Sequence, residues 1–464
     1  MITIDSSLTP QSLLPACERL CSLAAPKIRR IAERFPHNAP SPVITRAGRY
    51  DPQGWTEWTR GFQYGSALLA FDATGDEALL EIGRDGTRRD MAPHVTHFGV
   101  HDHGFNNVST YGNMRRLICE GRATPEDDAQ LEYYELALIA SAAVQAARWS
   151  RTEDGGGYIY SFNGPHSLFS DTIRSLRVLA LGHQLGGRPL GENDSPINLL
   201  DRLIKHALAT AQYNVYYGEG RDAYDIRGRV VHESIFNVND GRYRCPSSQQ
   251  GYSPFTTWTR GLAWVILGFA ELLEFLPGMP ERSFEAYGGR VEVEAAMLKA
   301  VRATCDFYIE QTPVDGIPYW DTGAPGLIHL DDYLHCPADP FNDYEPVDSS
   351  AAAIACQGLL RLGRYLQRGK TRDDGDRYWQ AGLTTLRSLL QPPYLAEDKF
   401  HDGLLLHSIY HRPRGWDFVP KGARTPHGEA CMWGDYHLLE ASLYVSRLAN
   451  TQPYYAFYLP LDAY

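Results

Sequence analysis

Asp102 stands in the run His101-Asp102-His103-Gly104-Phe105, and Asp171 heads the run Asp171-Thr172-Ile173-Arg174. Two carboxylates are the usual equipment for acid–base work on a glycoside: one keeps its proton and acts as an acid, the other holds charge or activates water. Each aspartate also has a purely structural reading, because Asp at a helix start accepts free backbone N–H groups and faces the positive end of the helix dipole. Which reading holds depends on whether the two carboxylates meet and whether their oxygens are already used. Around Asp102 lie His94, His97, His101 and His103, and four imidazoles could converge on zinc. No companion motif such as H-E-x-x-H accompanies them, so neither a metal nor another cofactor is expected.

The elements that must position these residues read as helices. Trp58-Thr59-Arg60-Gly61 returns as Trp258-Thr259-Arg260-Gly261, and each copy opens an apolar run with helical period. The segments Tyr134 to Trp149, Asp171 to Leu185, Asp348 to Leu366 and Asp435 to Leu448 follow the same grammar. Small and apolar residues on every side mark helices enclosed on both faces. More amphipathic stretches fall between them, at Ile197 to Gln212, Val291 to Gln311 and Asp376 to Leu390, and suit an outer ring. Alternating inner and outer helices predict a toroid. Met91 to Asn113, Tyr213 to Pro254, Thr312 to Val347 and His411 to Trp433 read as long loops rich in His, Asp, Tyr, Pro and Gly, the type of segment that carries function on a rigid scaffold. Helical grammar crosses every candidate boundary, so residues 1–464 read as a single domain, with room for a short accessory N-terminal segment over 1–35.

Composition narrows the partners. Hydrophobic residues at 43% and charged residues at 22% fit a globular chain with a substantial core. With 44 basic against 56 acidic side chains the net charge is −12, which argues against nucleic acid held by counterion release. An acidic small substrate stays open, since one or two placed arginines capture a carboxylate inside a cleft. The 28 Tyr and 9 Trp offer apolar faces with polar tips that suit sugar rings, although core packing accounts for most of them. No run of about 18 apolar residues and no basic-then-apolar leader is present, so no membrane partner and a cytoplasmic location are expected. The eight cysteines show no CxxC pair and read as free thiols.

Several of these motifs together resemble a known family. Trp58-Thr59-Arg60-Gly61-Phe62, His101-Asp102-x-Gly-Phe, Asp171 at a helix head, Gln250-Gly251-Tyr252-Ser253 before Trp258-x-Arg260-Gly261-x-Ala263-Trp264, Asp348-Ser349-Ser350-Ala351 and Trp433-Gly434-Asp435-Tyr436 are similar, in order and type, to glycoside hydrolase family 88, the unsaturated glucuronyl hydrolases. The resemblance implies an all-α (α/α)6 barrel that removes a 4,5-unsaturated uronic acid from the non-reducing end of lyase-generated oligosaccharides. It implies protonation of C4 and addition of water at C5 of the enol ether. By position, Asp171 would be the general acid and base, and Asp102 the second carboxylate that raises its proton affinity. His101 would join them in the pocket, His232 and Gln250 would position water and substrate, Arg260 would face the uronate carboxylate, and Trp58 and Trp264 would stack on the sugar.

Three features depart from the family's pattern: His103 beside Asp102, an insertion-like loop over Gly218 to Arg229, and Glu429-Ala430-Cys431 ahead of Trp433. They bear on which sugar is taken. Competing readings are an unsaturated rhamnogalacturonyl hydrolase, a sugar 2-epimerase using histidines as acid and base, and a silent carbohydrate-binding toroid. The last requires Asp102 and Asp171 to be far apart or plugged, because a fold alone does not fix a chemistry.

Overall fold

A helix with small and apolar residues all round has no face for water, and helices of this kind bury one another by closing into a ring. The computed structural model describes residues 1–54, 57–368 and 372–458. In chain order, outer and inner helices alternate: α1 (Pro10–Arg34), α2 (Arg60–Thr74), α3 (Glu77–Arg89), α4 (103–119), α5 (Ala129–Ala147), α6 (172–184), α7 (Leu199–Ala209), α8 (Thr259–Phe275), α9 (Arg290–Glu310), α10 (Ser349–Gln367), α11 (Arg372–Leu389) and α12 (Met432–Ala449). The even-numbered helices form the inner ring; each packs on the next, and α12 packs back on α2. This is the (α/α)6 barrel expected from the sequence. Helix α8 is buried along its whole length and is apolar because helices enclose it on both sides.

Three placements differ from the sequence reading. The stretch Tyr134 to Trp149 belongs to the outer helix α5, where Leu136 is 64% exposed and only one face is covered. Its place in the inner ring is taken by α4, from the second half of the expected loop Met91 to Asn113. Polar residues hid that helix. Asn106 accepts the N–H of Gly61 at 2.8 Å, Asn107 donates to Ser141 Oγ at 2.8 Å, and Thr110 donates to the Asn106 carbonyl at 2.9 Å. Buried polar side chains satisfied in this way are as much at home inside as leucines. Finally, the first 35 residues are no appendage: Leu13, Cys17, Leu20, Ala24 and Ile28 of α1 join the main core.

The inner helices are also tied by buried charge. Glu440 of α12 faces Arg174 at 3.3 Å and Arg177 at 3.8 Å, both on α6, and Arg174 reaches Glu271 of α8 at 3.1 Å. Burial disfavours the Glu440 carboxylate, but Arg174 and Arg177 outweigh it and hold the group down to about 2. Removing one partner of a buried pair strands the other, so Glu440→Gln is expected to cost about 3–5 kcal/mol in urea unfolding at neutral pH. The sign of the pH dependence follows from the depressed folded-state value. This stabilisation is complete above the ordinary carboxyl range near 4.5 and fades as pH falls toward about 2, so the mutant and wild-type stabilities should converge in acid.

Candidate active site

A small antiparallel sheet at one rim of the barrel gathers residues far apart in sequence. Its strands are β1 (Ser167–Phe169), β2 (Glu233–Phe236) and β3 (Tyr243–Ser247), with Phe169 opposite Glu233 and Glu233 opposite Ser247. That register ends the strands level with one another. Asp171 therefore follows β1, His232 precedes β2, and Gln249 and Gln250 follow β3, all at the same edge; the Ser170 N–H bonds the His232 carbonyl at 2.9 Å.

Asp102 arrives from the other side, at the start of α4. The backbone of Gly104 lies against that of Ser175 so closely that a Cβ on Gly104 would stand 2.2 Å from the Ser175 carbonyl oxygen. The Gly104 N–H donates to Ser175 Oγ at 2.8 Å, and Arg177 Nε donates to the Gly104 carbonyl at 2.7 Å. Close approach of α4 to α6 brings the two aspartates together: one ligand atom each of His101, Asp102 and Asp171 lie within 4.8 Å of one another. Neither aspartate makes a side-chain capping bond, so the helix-cap reading fails for both.

The three residues sit in a cleft of about 450 Å³ that Trp58, Gln250, Arg260 and Trp264 also line. His232 lies just behind, its Nε2 4.0 Å from Asp171 Oδ1. Its Nδ1 accepts the Gln249 N–H at 3.0 Å, which leaves the ring proton on Nε2, and burial pushes the group down to about 4, so at neutral pH it is an uncharged donor aimed toward Asp171. His101 Nε2 meets Asp171 Oδ2 at 3.2 Å and stands 3.9 Å from Asp102.

The two carboxyls are driven apart, in the opposite sense to the expectation that Asp102 raises Asp171. Burial and the neighbouring Asp171 push Asp102 up. Burial also disfavours the Asp171 carboxylate, but the hydrogen bond and charge of His101, with His232, hold it below the ordinary range. His101 is itself drawn up, because Asp102 and Asp171 overcome its burial. Of the two carboxyls, Asp102 therefore has the higher proton affinity, and Asp171 is the one its surroundings favour as a carboxylate.

Arg260 does not present an open fork. Its Nη1 donates to Asp348 Oδ2 at 2.8 Å and to the Ile409 carbonyl; its Nη2 donates to the Tyr410 carbonyl at 2.6 Å and to Gln250 Oε1 at 3.3 Å. The Gln250 bond is the longest, and it joins two residues that both face the cleft. Trp264 is 2% exposed, packed against Phe105 and His437, so it shapes the floor and offers no free stacking face. Trp58 is half-buried and stacks on Trp433 at 5.0 Å.

The other expected histidines are scaffold. His103 bonds Ser141 Oγ and the His97 carbonyl, both at 2.9 Å, and His94 meets Asn106 at 3.2 Å; burial pushes them down to about 4 and about 3. Sequence reading missed Glu57, Phe162, His411, Arg414 and Trp416 as cleft residues. The signal was partly there: His411, Arg414 and Trp416 fall in a loop flagged for its loading, and Glu57 adjoins Trp58. Phe162 and Trp416, 50% and 39% exposed, supply the open aromatic faces that Trp264 lacks.

No protein-family model matches the chain. Over nearly its whole length, however, it is similar to curated unsaturated uronide hydrolases. It is 25% identical over 434 residues to the unsaturated glucuronyl hydrolase of Bacillus sp. (strain GL1), covering 92% of this chain and 94% of that one. It is 25% identical over 431 residues to the unsaturated chondroitin disaccharide hydrolase of Streptococcus pyogenes serotype M1, covering 91% and 89%. The crystal structure of the unsaturated glucuronyl hydrolase from Streptococcus agalactiae superposes with a TM-score of 0.70 at 21% identity, over 98% of this chain and 99% of that one. A UGL variant solved with dGlcA-Glc-Rha-Glc gives 0.69 at 23%, over 93% and 97%.

Proposed function

We propose that this chain is a glycoside hydrolase of the family 88 kind, which removes a 4,5-unsaturated uronic acid from the non-reducing end of a small oligosaccharide by hydrating its C4–C5 double bond. The observation that carries this reading is the union of His101, Asp102 and Asp171 at the base of an open cleft, in a chain similar end to end to hydrolases of that name. The condition for a silent toroid, aspartates apart or plugged, is not met.

The site's residues match the steps. Asp171 Oδ2 is held by His101, while its Oδ1 is buried without a protein partner and is free to carry the acidic proton. Substrate displaces water, the cost of two neighbouring carboxylates rises, and the pair takes up a proton that Asp171 Oδ1 presents to the substrate. Asp171 delivers it to C4. Water, oriented by the His232 Nε2–H, adds its oxygen to C5 and returns its other proton to Asp171. The product is a C5 hemiketal; the ring C5–O bond opens to a ketone, and the C1 hemiacetal collapses to an aldehyde, releasing the sugar alcohol. One water is consumed and the glycosidic bond breaks with no displacement at C1. For the uronate carboxylate to meet Arg260, it must take the place of the Gln250 amide on Nη2.

The test is to mix the protein with unsaturated disaccharides produced by polysaccharide lyases and follow the ultraviolet absorbance of the conjugated enol ether. The expected result is loss of the band with release of the neighbouring sugar, and no release from a saturated uronide of the same linkage. Cleavage of the saturated uronide, or an unchanged band across substrates of several linkages with saturated sugars interconverted at C2 instead, would sink the reading.

A further inference from the structure

Arg148 stands at the C-cap of the outer helix α5, is buried, and has no part in the chemistry above. Its guanidinium is spent on carbonyls from two separate segments. Nη1 donates to the Phe98 carbonyl at 2.5 Å, Nη2 to that of Ser161 at 2.7 Å and Nε to that of Tyr160 at 3.2 Å. The Tyr160 ring lies beneath it, 4.3 Å from its central carbon. Among the described residues no carboxylate pairs with it, although Asp102 is near enough for the two charges to act on each other. Burying a cation against neutral partners costs stability, and its retention points to a task that a neutral donor would not perform.

Each segment that Arg148 holds becomes a wall of the cleft. Phe98 leads to Val100 and His101, Ser161 leads to Phe162, and all three of these last residues line the cavity. The Phe98 side depends on the clasp. Residues 98–101 form neither helix nor strand and, among the described residues, make no backbone–backbone hydrogen bond, so Arg148 is what ties the Phe98 carbonyl. The other segment is anchored to the sheet: the Ser161 N–H bonds the Ser167 carbonyl at 2.9 Å, and Asn163 donates to Glu233 at 3.0 Å. Across the gap the half-exposed Phe162 ring stacks on His101 at 5.7 Å. The carboxyls are placed by other means, Asp102 by the Gly104 contact and Asp171 by the sheet edge.

We propose that Arg148 is a positioning residue for the sugar: by clasping the Phe98 carbonyl to those of Tyr160 and Ser161 it fixes the spacing of the two walls and holds Phe162 over His101 as a stacking face. A rigid planar fork can span both segments, whereas the ammonium of a lysine is a compact point on a flexible stem. The role in binding rests on the hydrolase reading given above; the clasp itself does not.

Arg148→Lys keeps a positive charge near Asp102 and His101, both of which feel Arg148, but cannot span the walls. It should raise KM for an unsaturated disaccharide about tenfold with kcat within about threefold, the signature of lost binding and not of lost chemistry. Phe162→Leu, at a half-exposed position, should raise KM to a similar extent. The double variant should be no worse than the poorer single one, because both changes remove the same platform. A crystal structure of Arg148→Lys should show Phe162 displaced from His101 relative to the 5.7 Å of the wild type. A loss confined to kcat, an about hundredfold rise of KM in the double variant, or a Phe162 ring that keeps its place in the lysine variant would overturn the proposal. An unchanged KM in Phe162→Leu would do so even if Arg148→Lys failed to fold. Failure of the wild type to consume any unsaturated uronide would instead defeat the proposed function and leave the crystallographic result standing.

Discussion

Asp171→Asn is expected to lower kcat by about 10³-fold or more on any unsaturated disaccharide the wild type consumes, in the range that general acid–base catalysis supplies. The asparagine amide has the shape of the carboxyl, and its oxygen still accepts the His101 Nε2–H, now 3.2 Å from Asp171 Oδ2. What it lacks is a proton to give to C4 and the basicity to take one from water. Since Asp171 makes no capping bond, the helix behind it should form as before. The loss should therefore fall on kcat, with KM within a few-fold and an unchanged unfolding midpoint. A variant retaining a tenth of the wild-type rate would remove Asp171 from the acid's role and move it to Asp102, the carboxyl that burial and Asp171 push up.

Gly104→Ala is expected to cost about 10²-fold in kcat/KM, the penalty of misplacing reacting groups by about 1 Å, although residue 104 touches no substrate. The added methyl would meet the carbonyl oxygen of Ser175 at 2.2 Å and its Cα at 2.4 Å, both backbone atoms that no rotamer change can move. Helices α4 and α6 must separate at the point that sets Asp102 beside Asp171. The overpacking should also lower stability by about 1–3 kcal/mol. Steady-state kinetics beside urea unfolding checks both: full activity with reduced stability would mean the pair tolerates the shift. Gly75, where a Cβ meets nothing within 4 Å, is the wrong control because its φ of 72° favours glycine. A surface substitution on α5 such as Leu136→Ala serves better.

The contrast between α4 and α8 shows which part of the fold was legible. Helix α8 carries apolar residues all round, so its periodicity, its enclosure and its place in the inner ring could be read directly. Helix α4 fills the same kind of position with Asn106, Asn107, Ser109 and Thr110, and looked like a loop until the partners of those side chains were known. The repeated Trp-Thr-Arg-Gly shows the same divide. Both arginines begin inner helices and both are buried, yet Arg60 pairs with Asp90 at 3.2 Å, away from the cleft, and only Arg260 lines it.

By itself the sequence determined the alternation of enclosed and amphipathic helices, hence a toroid, and the residue types that chemistry needs, because periodicity and composition are local properties. Tertiary structure alone decided the rest. A three-stranded register brought Asp171, His232 and Gln250 to one edge, and a glycine contact set Asp102 beside Asp171. The lower proton affinity of Asp171 beside Asp102 follows from a histidine at 3.2 Å, and Arg260 proved to be already engaged by Asp348 and two carbonyls. Proton affinities and free valences depend on what stands within a few ångströms in space, and that distance is not written in the order of residues along the chain.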